Sequence, residues 1–146
     1  MPKKIISFDE AKKILQQRFS AKPIGTEHVP LSEVYQRVLA KDIVAHIDVP
    51  SFDRATVDGY AVKAKDTFGA DETNPITLKI CGSIDIGEPP HITVENGSAA
   101  EIATGAPMPQ GADAVVMLEY TIRKDARVTL YRPVSKGENT MKAGSD

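Results

Sequence analysis

Residues 76–81, Ile-Thr-Leu-Lys-Ile-Cys, decide the fold class, because apolar and polar side chains alternate along them. Alternation of this kind sends one row of side chains into a core and leaves the other in solvent, which predicts a half-buried strand. The stretches on either side contain no parallel β-α-β spacing. The sequence therefore favours a curled antiparallel sheet or partial barrel over a doubly wound fold.

Two hairpins are predicted downstream of this strand. In the first, residues 91–94 and 100–103 flank Asn96-Gly97, which supplies the positive φ angles of a two-residue turn. In the second, residues 114–122 and 127–134 flank Lys124-Asp125-Ala126. Together these segments predict a β-rich domain over residues 50–134.

The preceding residues, 1–49, predict a helical first domain. Ser7 and Glu10 form a capping box at the start of one helix, which has five apolar residues on one face: Phe8, Ala11, Ile14, Leu15 and Phe19. After a break at Pro23 and Gly25, a second amphipathic helix is predicted from the spacing of Leu31, Val34, Tyr35, Val38 and Leu39. The fold class is thus α+β. We expect the polar tail, residues 135–146, to return to the first domain.

Composition excludes several classes of function. The 146 residues carry 18 basic and 20 acidic side chains without a block of like charge, which disfavours nucleic-acid binding. There is neither an apolar run of membrane-spanning length nor a signal-peptide pattern, so we expect a cytoplasmic protein without a membrane partner. A lone cysteine, Cys81, excludes an internal disulfide, and His28, His46 and His91 lack the spacing of zinc ligands.

Two segments are richer in special residues than a connecting loop requires. Residues 49–62 contain two carboxylates, Asp53 and Asp58, although Asp58-Gly59 alone would more simply indicate a hairpin turn. In residues 103–116, the Thr104 hydroxyl and an exposed Gly105 amide would suit an oxyanion, and a rigid connecting loop is the simpler alternative. Glu119 adds a carboxylate to the following strand; the alternative for it is an exposed strand position.

A third segment, residues 137–146, has the pattern G-x-N-x-x-x-x-G-x-D and ends at Asp146. Taken alone, this pattern is better explained by a solvated linker. No Walker A loop or G-x-G-x-x-G is present, and no Ser-His-Asp set can be assembled from the sequence.

In order and spacing, the three segments resemble the molybdopterin molybdenumtransferases, a family that includes MoeA and the E domain of gephyrin. Residues 50–62, Pro-Ser-Phe-Asp-Arg-Ala-Thr-Val-Asp-Gly-Tyr-Ala-Val, are similar to the family block P-x-F-D-x-S-x-M-D-G-Y-A-V. Residues 104–116, Thr-Gly-Ala-Pro-Met-Pro-Gln-Gly-Ala-Asp-Ala-Val-Val, followed by Glu119, are similar to T-G-A-P-x-P-x-G-A-D-x-V-V-x-x-E. The tail resembles G-x-N-x-R-x-x-G-E-D.

The resemblance implies a fold of amino-terminal helices and bifurcated, coiled antiparallel sheets. It also implies a function in molybdenum cofactor biosynthesis: full-length members take adenylyl-molybdopterin and molybdate, require Mg²⁺, and release AMP as homodimers. This chain would supply one wall of the active-site cleft and would be inactive alone, since the carboxy-terminal domains are absent from it. The alternative is a non-catalytic module for dimerisation or partner binding.

By resemblance, Asp58 and Thr104 are the catalytic positions, and we expect Asp58 to be a Mg²⁺ ligand. Asp53, Gly105, Glu119 and Asp146 are supporting or substrate-binding positions. Met141 stands where the family usually has Arg, and Ser145 where it usually has Glu, so Asp146 carries less weight. A hard dication would reconcile these carboxylates with anionic substrates, because Mg²⁺ bridges carboxylate and phosphate oxygens. We expect Asp58 to orient the cation or its waters and the Thr104 hydroxyl to bind an anionic oxygen.

Overall fold

The computed structural model describes residues 5–19, 22 and 24–145. The chain divides into two compact units, Met1–Val44 and Ala45–Asp146. The first unit contains one α-helix, α1 (Phe8–Arg18), and a single-turn 3-10 helix, Leu31–Glu33. Within the described residues, the strands belong to the second unit.

The prediction of the first helix is confirmed. The Ser7 side chain accepts a hydrogen bond from the Glu10 amide over 3.2 Å, which satisfies one of the donors that a helix start leaves open. Asp9 and Glu10 lie in the first turn and Arg18 in the last, as the helix dipole favours. The predicted apolar face is not buried, however: Phe8 and Phe19 are 82% and 73% exposed.

The prediction of a second α-helix is wrong. After Leu31–Glu33 the backbone reaches a positive φ of 62° at Gln36, which ends any helical continuation. The apolar stripe that predicted the helix is solvent-exposed, with Leu31 at 87% and Val38 at 95%. Short amphipathic helices depend on packing of their apolar face, and this stripe has no such packing within its unit.

The second unit is built on a six-stranded mixed sheet in the order β5-β2-β4-β3-β7-β6. Its strands are β2 (Gly59–Val62), β3 (Ile76–Ile84), β4 (Ser98–Ile102), β5 (Ala114–Met117), β6 (Thr121–Lys124) and β7 (Arg127–Leu130). Two short strands, β1 (Arg54–Ala55) and β8 (Thr140–Met141), pair separately. The α+β fold class is confirmed, with one departure from an antiparallel sheet: β3 and β4 run parallel.

The half-buried strand and one of the two hairpins are found. Strand β3 exposes Thr77, Lys79 and Cys81 and buries Leu78, as predicted. Strands β6 and β7 pair through a two-residue turn at Asp125-Ala126. The segment predicted as the first strand of that hairpin is interrupted by a 3-10 turn, Leu118–Tyr120, which separates β5 from β6.

The hairpin predicted around Asn96-Gly97 is wrong. A turn is present, since the Ser98 amide donates to the Glu95 carbonyl over 3.1 Å. Strand β4 then enters the sheet between β2 and β3, so both of its edges are occupied. Residue 93 keeps only an isolated bridge to Gln110. The Gly97 amide is tied instead to the Asp66 carboxylate over 2.8 Å.

Two apolar cores lie on the opposite faces of β2. Tyr60 and Val62 join Leu78, Val116 and Leu130 in one cluster. Ala61, between them, joins Ile84, Val94, Ile102 and Val115 in the other. The period of two in a strand produces this division, because successive side chains point to opposite faces. Strand β2 is therefore buried on both sides, which fixes the position of Asp58 immediately before it.

The tail, which we expected to return to the first domain, makes its hydrogen bonds in the β-rich unit. Strand β8 pairs with β1, and the Gly137 amide donates to the Asp113 carbonyl over 2.7 Å. The Val115 amide donates to the Glu138 carbonyl, and the Asn139 side chain donates to the Val115 carbonyl. The tail thus satisfies backbone groups that the edge strand β5 would otherwise leave open. Among the described residues, no helix combines the length and apolarity that crossing a bilayer requires.

Candidate functional site

Asp58 and Thr104, from the two long sequence motifs, meet on the surface of the β-rich unit. One carboxylate oxygen of Asp58, Oδ1, accepts a hydrogen bond from the Thr104 amide over 2.7 Å and another from the Thr104 hydroxyl over 2.8 Å. These bonds hold the pKa of the Asp58 carboxyl below its usual range; the backbone bond is the larger cause and the hydroxyl bond the smaller. Asp58 is therefore an exposed and ionised carboxylate.

The backbone around each residue explains the contact. Asp58 directly precedes β2, so Asp58-Gly59 begins a strand and does not form a hairpin turn. Thr104 and Gly105 are the central residues of a turn closed by the Ala106 amide and the Ala103 carbonyl. Gly105 has a φ of 85°, which the third position of a type II turn requires. This turn follows β4, the antiparallel neighbour of β2, which brings the two motifs to one end of the sheet.

Asp58 lies at a cavity of about 370 Å³, which we call the acidic cleft. It is lined by Asp58, Gly59, Ser83, Ile84, Asp85, Glu101, Ile102, Ala103 and Leu118. Three of these residues are carboxylates, and none is Lys, Arg or His. Gly59 is necessary at this place, because a Cβ there would lie 2.0 Å from the Val116 carbonyl oxygen.

The predicted oxyanion-holding pair is wrong as stated. The Gly105 amide is not free, since it donates to the Ala55 carbonyl over 2.8 Å. Both donors of Thr104 are directed at Asp58. The local geometry therefore fixes the acidic group, and an anion would reach the Thr104 hydroxyl only after the Asp58 contact had opened.

Asp53 has a different environment from Asp58. Its carboxylate accepts a hydrogen bond from the Ala143 amide over 2.9 Å and forms an ion pair with Lys142. The Lys142 contact is the main reason that the pKa of Asp53 lies below its usual value. Asp53 thus holds the tail in place.

Glu119 does not line the acidic cleft. Glu119 lies in the 3-10 turn after β5, at another cavity beside Tyr120, Tyr131 and Arg132. Asp146 lies outside the described residues.

Sequence reasoning missed the other carboxylates of the cleft, Asp85 and Glu101. Glu101 lies opposite Tyr60 in the pairing of β4 with β2, and Arg123 forms an ion pair with it over 2.6 Å. Burial, and then the charge of Glu101, raise the pKa of Tyr60. No sequence pattern could have joined Asp85 and Glu101 to Asp58, because Asp85 follows β3, Glu101 lies in β4 and Asp58 precedes β2.

A protein-only metal cage is absent from the part of the chain that the structure describes: no group of three or more His, Cys, Asp or Glu side chains is arranged to hold an ion. Asp58 nevertheless suits a hydrated dication. Its Oδ1 is held by Thr104, and the structure shows no bond from the described residues to its Oδ2. Mg²⁺ commonly keeps several waters and uses only one or two carboxylates.

Comparison with known proteins places this fold and its motifs in one family. Residues 6–146 match the family described as the MoeA N-terminal region, domains I and II. The chain therefore belongs to the MoeA family and corresponds to its amino-terminal region. In the structure of a molybdopterin biosynthesis MoeA protein from Pyrococcus horikoshii OT3, the similarity covers 98% of this chain at 42% identity, with a TM-score of 0.74.

Two sequence relatives have names from the same biosynthesis. A molybdopterin molybdenumtransferase of Synechococcus elongatus is 32% identical over 97% of this chain. A putative molybdopterin biosynthesis protein of Methanocaldococcus jannaschii is 37% identical over 99% of it. The chain spans only 36% and 35% of the lengths of these two relatives, and 38% of the Pyrococcus chain. These names indicate molybdenum cofactor biosynthesis as the function of the family.

Proposed function

We propose that this chain forms one wall of the active site of a molybdopterin molybdenumtransferase. The reaction would be insertion of molybdate into adenylyl-molybdopterin with release of AMP. The observation that carries the proposal is the contact between Asp58 and Thr104 at the acidic cleft. Asp58 and Thr104 lie 46 positions apart in two different motifs, and the fold brings their carboxylate and hydroxyl together there, on an exposed surface.

In this proposal Asp58 holds Mg²⁺ or its waters through its free oxygen, Oδ2. Thr104 has a positioning role: it fixes the other oxygen, and its two hydrogen bonds lower the pKa of the carboxyl. When bound, the cation would neutralise negative charge on the phosphate and molybdate oxygens. Asp85 adds negative potential to the same cleft, and Glu101 adds less because Arg123 pairs with it; this potential favours a cation over a free anion at this wall.

The decisive experiment is complementation of a strain that lacks molybdenum cofactor by the full-length protein, with and without Asp58→Asn. We expect the variant to fail while remaining folded, because Asn keeps the shape and loses the charge. Asp125→Asn is the matched control, since Asp125 lies in the exposed β6–β7 turn at a φ of 53°, which Asn tolerates. Full cofactor synthesis by the Asp58 variant would remove this carboxylate from the proposed mechanism.

We also propose that the full-length protein is a homodimer. The first unit exposes large apolar side chains, among them Leu31, Tyr35, Val38 and Leu39. Exposed apolar surface of this kind is typical of surfaces that contact another protein segment. A monomer in sedimentation of the full-length protein at micromolar concentration would contradict this proposal.

A further inference from the structure

The two edges of the six-stranded sheet differ in how the chain covers them. At the β5 edge, the tail bonds to the backbone of Val115 through the Glu138 carbonyl and the Asn139 side chain. At the opposite edge, within the described residues, β6 pairs with β7 alone. The outer side of β6 is therefore open to a further strand.

The backbone of Arg123 points outward from this open edge. The Tyr131 amide donates to the Tyr120 carbonyl over 2.9 Å, so these two residues form a hydrogen-bonded pair where the β6–β7 ladder begins. Because bonded and non-bonded pairs alternate along an antiparallel ladder, the Arg123 amide and carbonyl point away from β7. Outside that ladder, the described residues form no hydrogen bond to either group. The Thr121 carbonyl points to the same side, whereas the Thr121 amide is bonded to the Leu118 carbonyl.

Basic side chains form a row across the solvent face of β3, β7 and β6. The register places Lys79 opposite Arg127 and Arg127 opposite Lys124, so the three exposed side chains share one face with Cα atoms about 4.5–5.5 Å apart. The Thr77 and Thr129 hydroxyls, 3.1 Å apart, lie on the same face. None of the three cations forms an ion pair with a described residue. Like charges placed directly opposite destabilise a sheet, which indicates that this row serves an anionic partner.

Protection of the edge against aggregation does not explain the whole row. Charged side chains on an edge strand discourage unwanted pairing, and Lys124 alone would serve that purpose. Lys79 lies two strands further in, where it cannot shield the edge. The row therefore favours binding of a complementary charge over simple protection.

An apolar position lies beside the basic row on the same face. Ile122, two residues before Lys124, is 58% exposed. It lines a cavity of about 590 Å³ together with two rings and two carboxylates, those of Tyr120, Tyr131, Glu72 and Glu119. Arg132, which also lines this cavity, is paired with Glu138. A strand added here would thus place an apolar residue beside Ile122 and an acidic residue beside Lys124.

We infer that the β6 edge binds an extended segment of another protein by antiparallel strand addition, and that this segment has the pattern acidic-x-apolar from its amino end. Arg123 exchanges two backbone hydrogen bonds with the central residue, which puts the acidic residue opposite Lys124 and the apolar residue opposite Ile122. Main-chain bonds supply affinity in this mode of binding, and alternate side chains supply selectivity. The inference does not depend on the reaction proposed above, since neither Asp58 nor Thr104 takes part.

A second copy of the chain fits this edge less well than an acidic segment. In a second copy, the residue of β6 with both backbone groups free would again be Arg123. Self-pairing would place the two Arg123 residues opposite each other, which like charges disfavour. An acidic segment meets the basic row without this repulsion.

The test uses a blocked pentapeptide, Ser-Glu-Thr-Val-Ser, titrated into the ¹⁵N-labelled chain. We expect saturable binding that shifts the NMR signal of the Arg123 amide and slows its hydrogen exchange. N-methylation of the central threonine removes a donor to the Arg123 carbonyl and should weaken binding at least about fivefold. N-methylation of the valine is the matched control, because its amide points away from β6, and should change binding by no more than about twofold.

A charge exchange tests the acidic position. Lys124→Glu should weaken binding of the peptide about fivefold or more, since it replaces an attraction by a repulsion. A peptide with lysine in place of glutamate should restore binding to this variant. Lys65→Glu is the control of equal charge: Lys65 is exposed in the 3-10 helix Ala64–Thr67, outside the sheet, and its substitution should change binding by no more than about twofold.

Three results would overturn the inference. The first is equal weakening by Lys124→Glu and Lys65→Glu, or by the two N-methylated peptides, because binding would then be non-specific attraction. The second is the absence of saturable binding at millimolar concentration. The third is protection of the Arg123 amide that rises with chain concentration in the absence of peptide, which would assign the edge to a second copy.

Discussion

At the scale of the residue, Asp58 shows how the fold controls the ionisation and the free oxygen of one carboxylate. Asp58 is exposed, so burial contributes little to its properties. Its ionised form is stabilised because two donors of Thr104 converge on a single oxygen. This arrangement leaves the second oxygen available, which is what a weakly coordinated, hydrated cation requires.

The hydroxyl contribution to this arrangement can be measured. Thr104→Val removes the hydroxyl donor and keeps the backbone donor, so the pKa of Asp58 should rise part of the way toward its ordinary value. Thr104→Ser should leave the pKa close to that of the original protein. Carboxyl ¹³C shifts followed by NMR between about pH 2 and 6 provide the measurement.

The sign of the effect on stability follows from linkage. Because the pKa of Asp58 is lower in the folded protein than its ordinary value of 3.8, its contribution is present above that value and disappears as the pH falls through the folded pKa. Thr104→Val should therefore reduce stability at pH values above about 3.8, and its difference from the original protein should disappear as the pH falls through the folded pKa. Identical Asp58 titrations in the Val and Ser variants would show that the hydroxyl bond does not form in solution.

At the scale of the element, the tail shows how a motif can serve the fold. Asn139 adopts a φ of 58° and its side chain donates to the Val115 carbonyl over 2.8 Å, on the open edge of β5. The G-x-N part of the third motif thus closes a sheet edge. Lys142 and Ala143 then attach the tail to Asp53.

Substitutions at Asn139 should separate the contribution of its side-chain hydrogen bond from that of its positive φ angle. Asn139→Gly keeps access to the positive φ and loses the hydrogen bond, which costs about 1 kcal/mol in the free energy of unfolding. Asn139→Ala also strains the backbone, which adds about 1–2 kcal/mol. Denaturation midpoints provide the measurement, and Asn96→Ala is the control, since its bond to Lys63 is exposed. Equal midpoints for Asn139→Ala and the original chain would show that the tail does not close this edge.

The elements that sequence could predict are those fixed by local chemistry. The Ser7 cap, the alternation in β3 and the β6–β7 turn each depend on neighbouring residues, and all three were confirmed. The predictions of a helix after Pro30 and of a hairpin at Asn96-Gly97 were wrong, because contacts with residues distant in sequence determine both structures. Strand β4 pairs with β2 and β3 and does not pair with the residues that precede its turn.

The candidate site was predictable only through its motifs. Resemblance selected Asp58 and Thr104, and the fold brings them into contact. Asp85 and Glu101 belong to no motif, and their place in the cleft depends on how β3 and β4 align. The hydrogen bond that occupies the Gly105 amide could not be predicted from the sequence either, because the accepting carbonyl, that of Ala55, lies 50 residues earlier in the chain.

At the scale of the whole chain, the charge of the acidic cleft limits what this wall can do. Its lining includes Asp58, Asp85 and Glu101 and no cationic side chain. Arg123, the cation that reaches Glu101, is engaged in that ion pair. A substrate composed of phosphate and molybdate would meet repulsion here unless a dication or a second, basic wall compensated for it.

This chain alone should therefore neither bind molybdate nor form the cofactor. The repulsion between like charges about 4 Å apart is about 1 kcal/mol in water and several times larger near a protein surface. Asp58 and Asp85 therefore disfavour a dianion, whereas the charge of Glu101 is partly compensated by Arg123. Equilibrium dialysis with molybdate, with sulfate as the control anion, should show no saturable binding at millimolar concentration without Mg²⁺. Replacing the carboxylates by Asp85→Asn and Glu101→Gln should lower this barrier. Saturable molybdate binding by the unmodified chain would show that this wall contains an anion site. The negative charge of the cleft would then not make a second, basic wall necessary for anion binding.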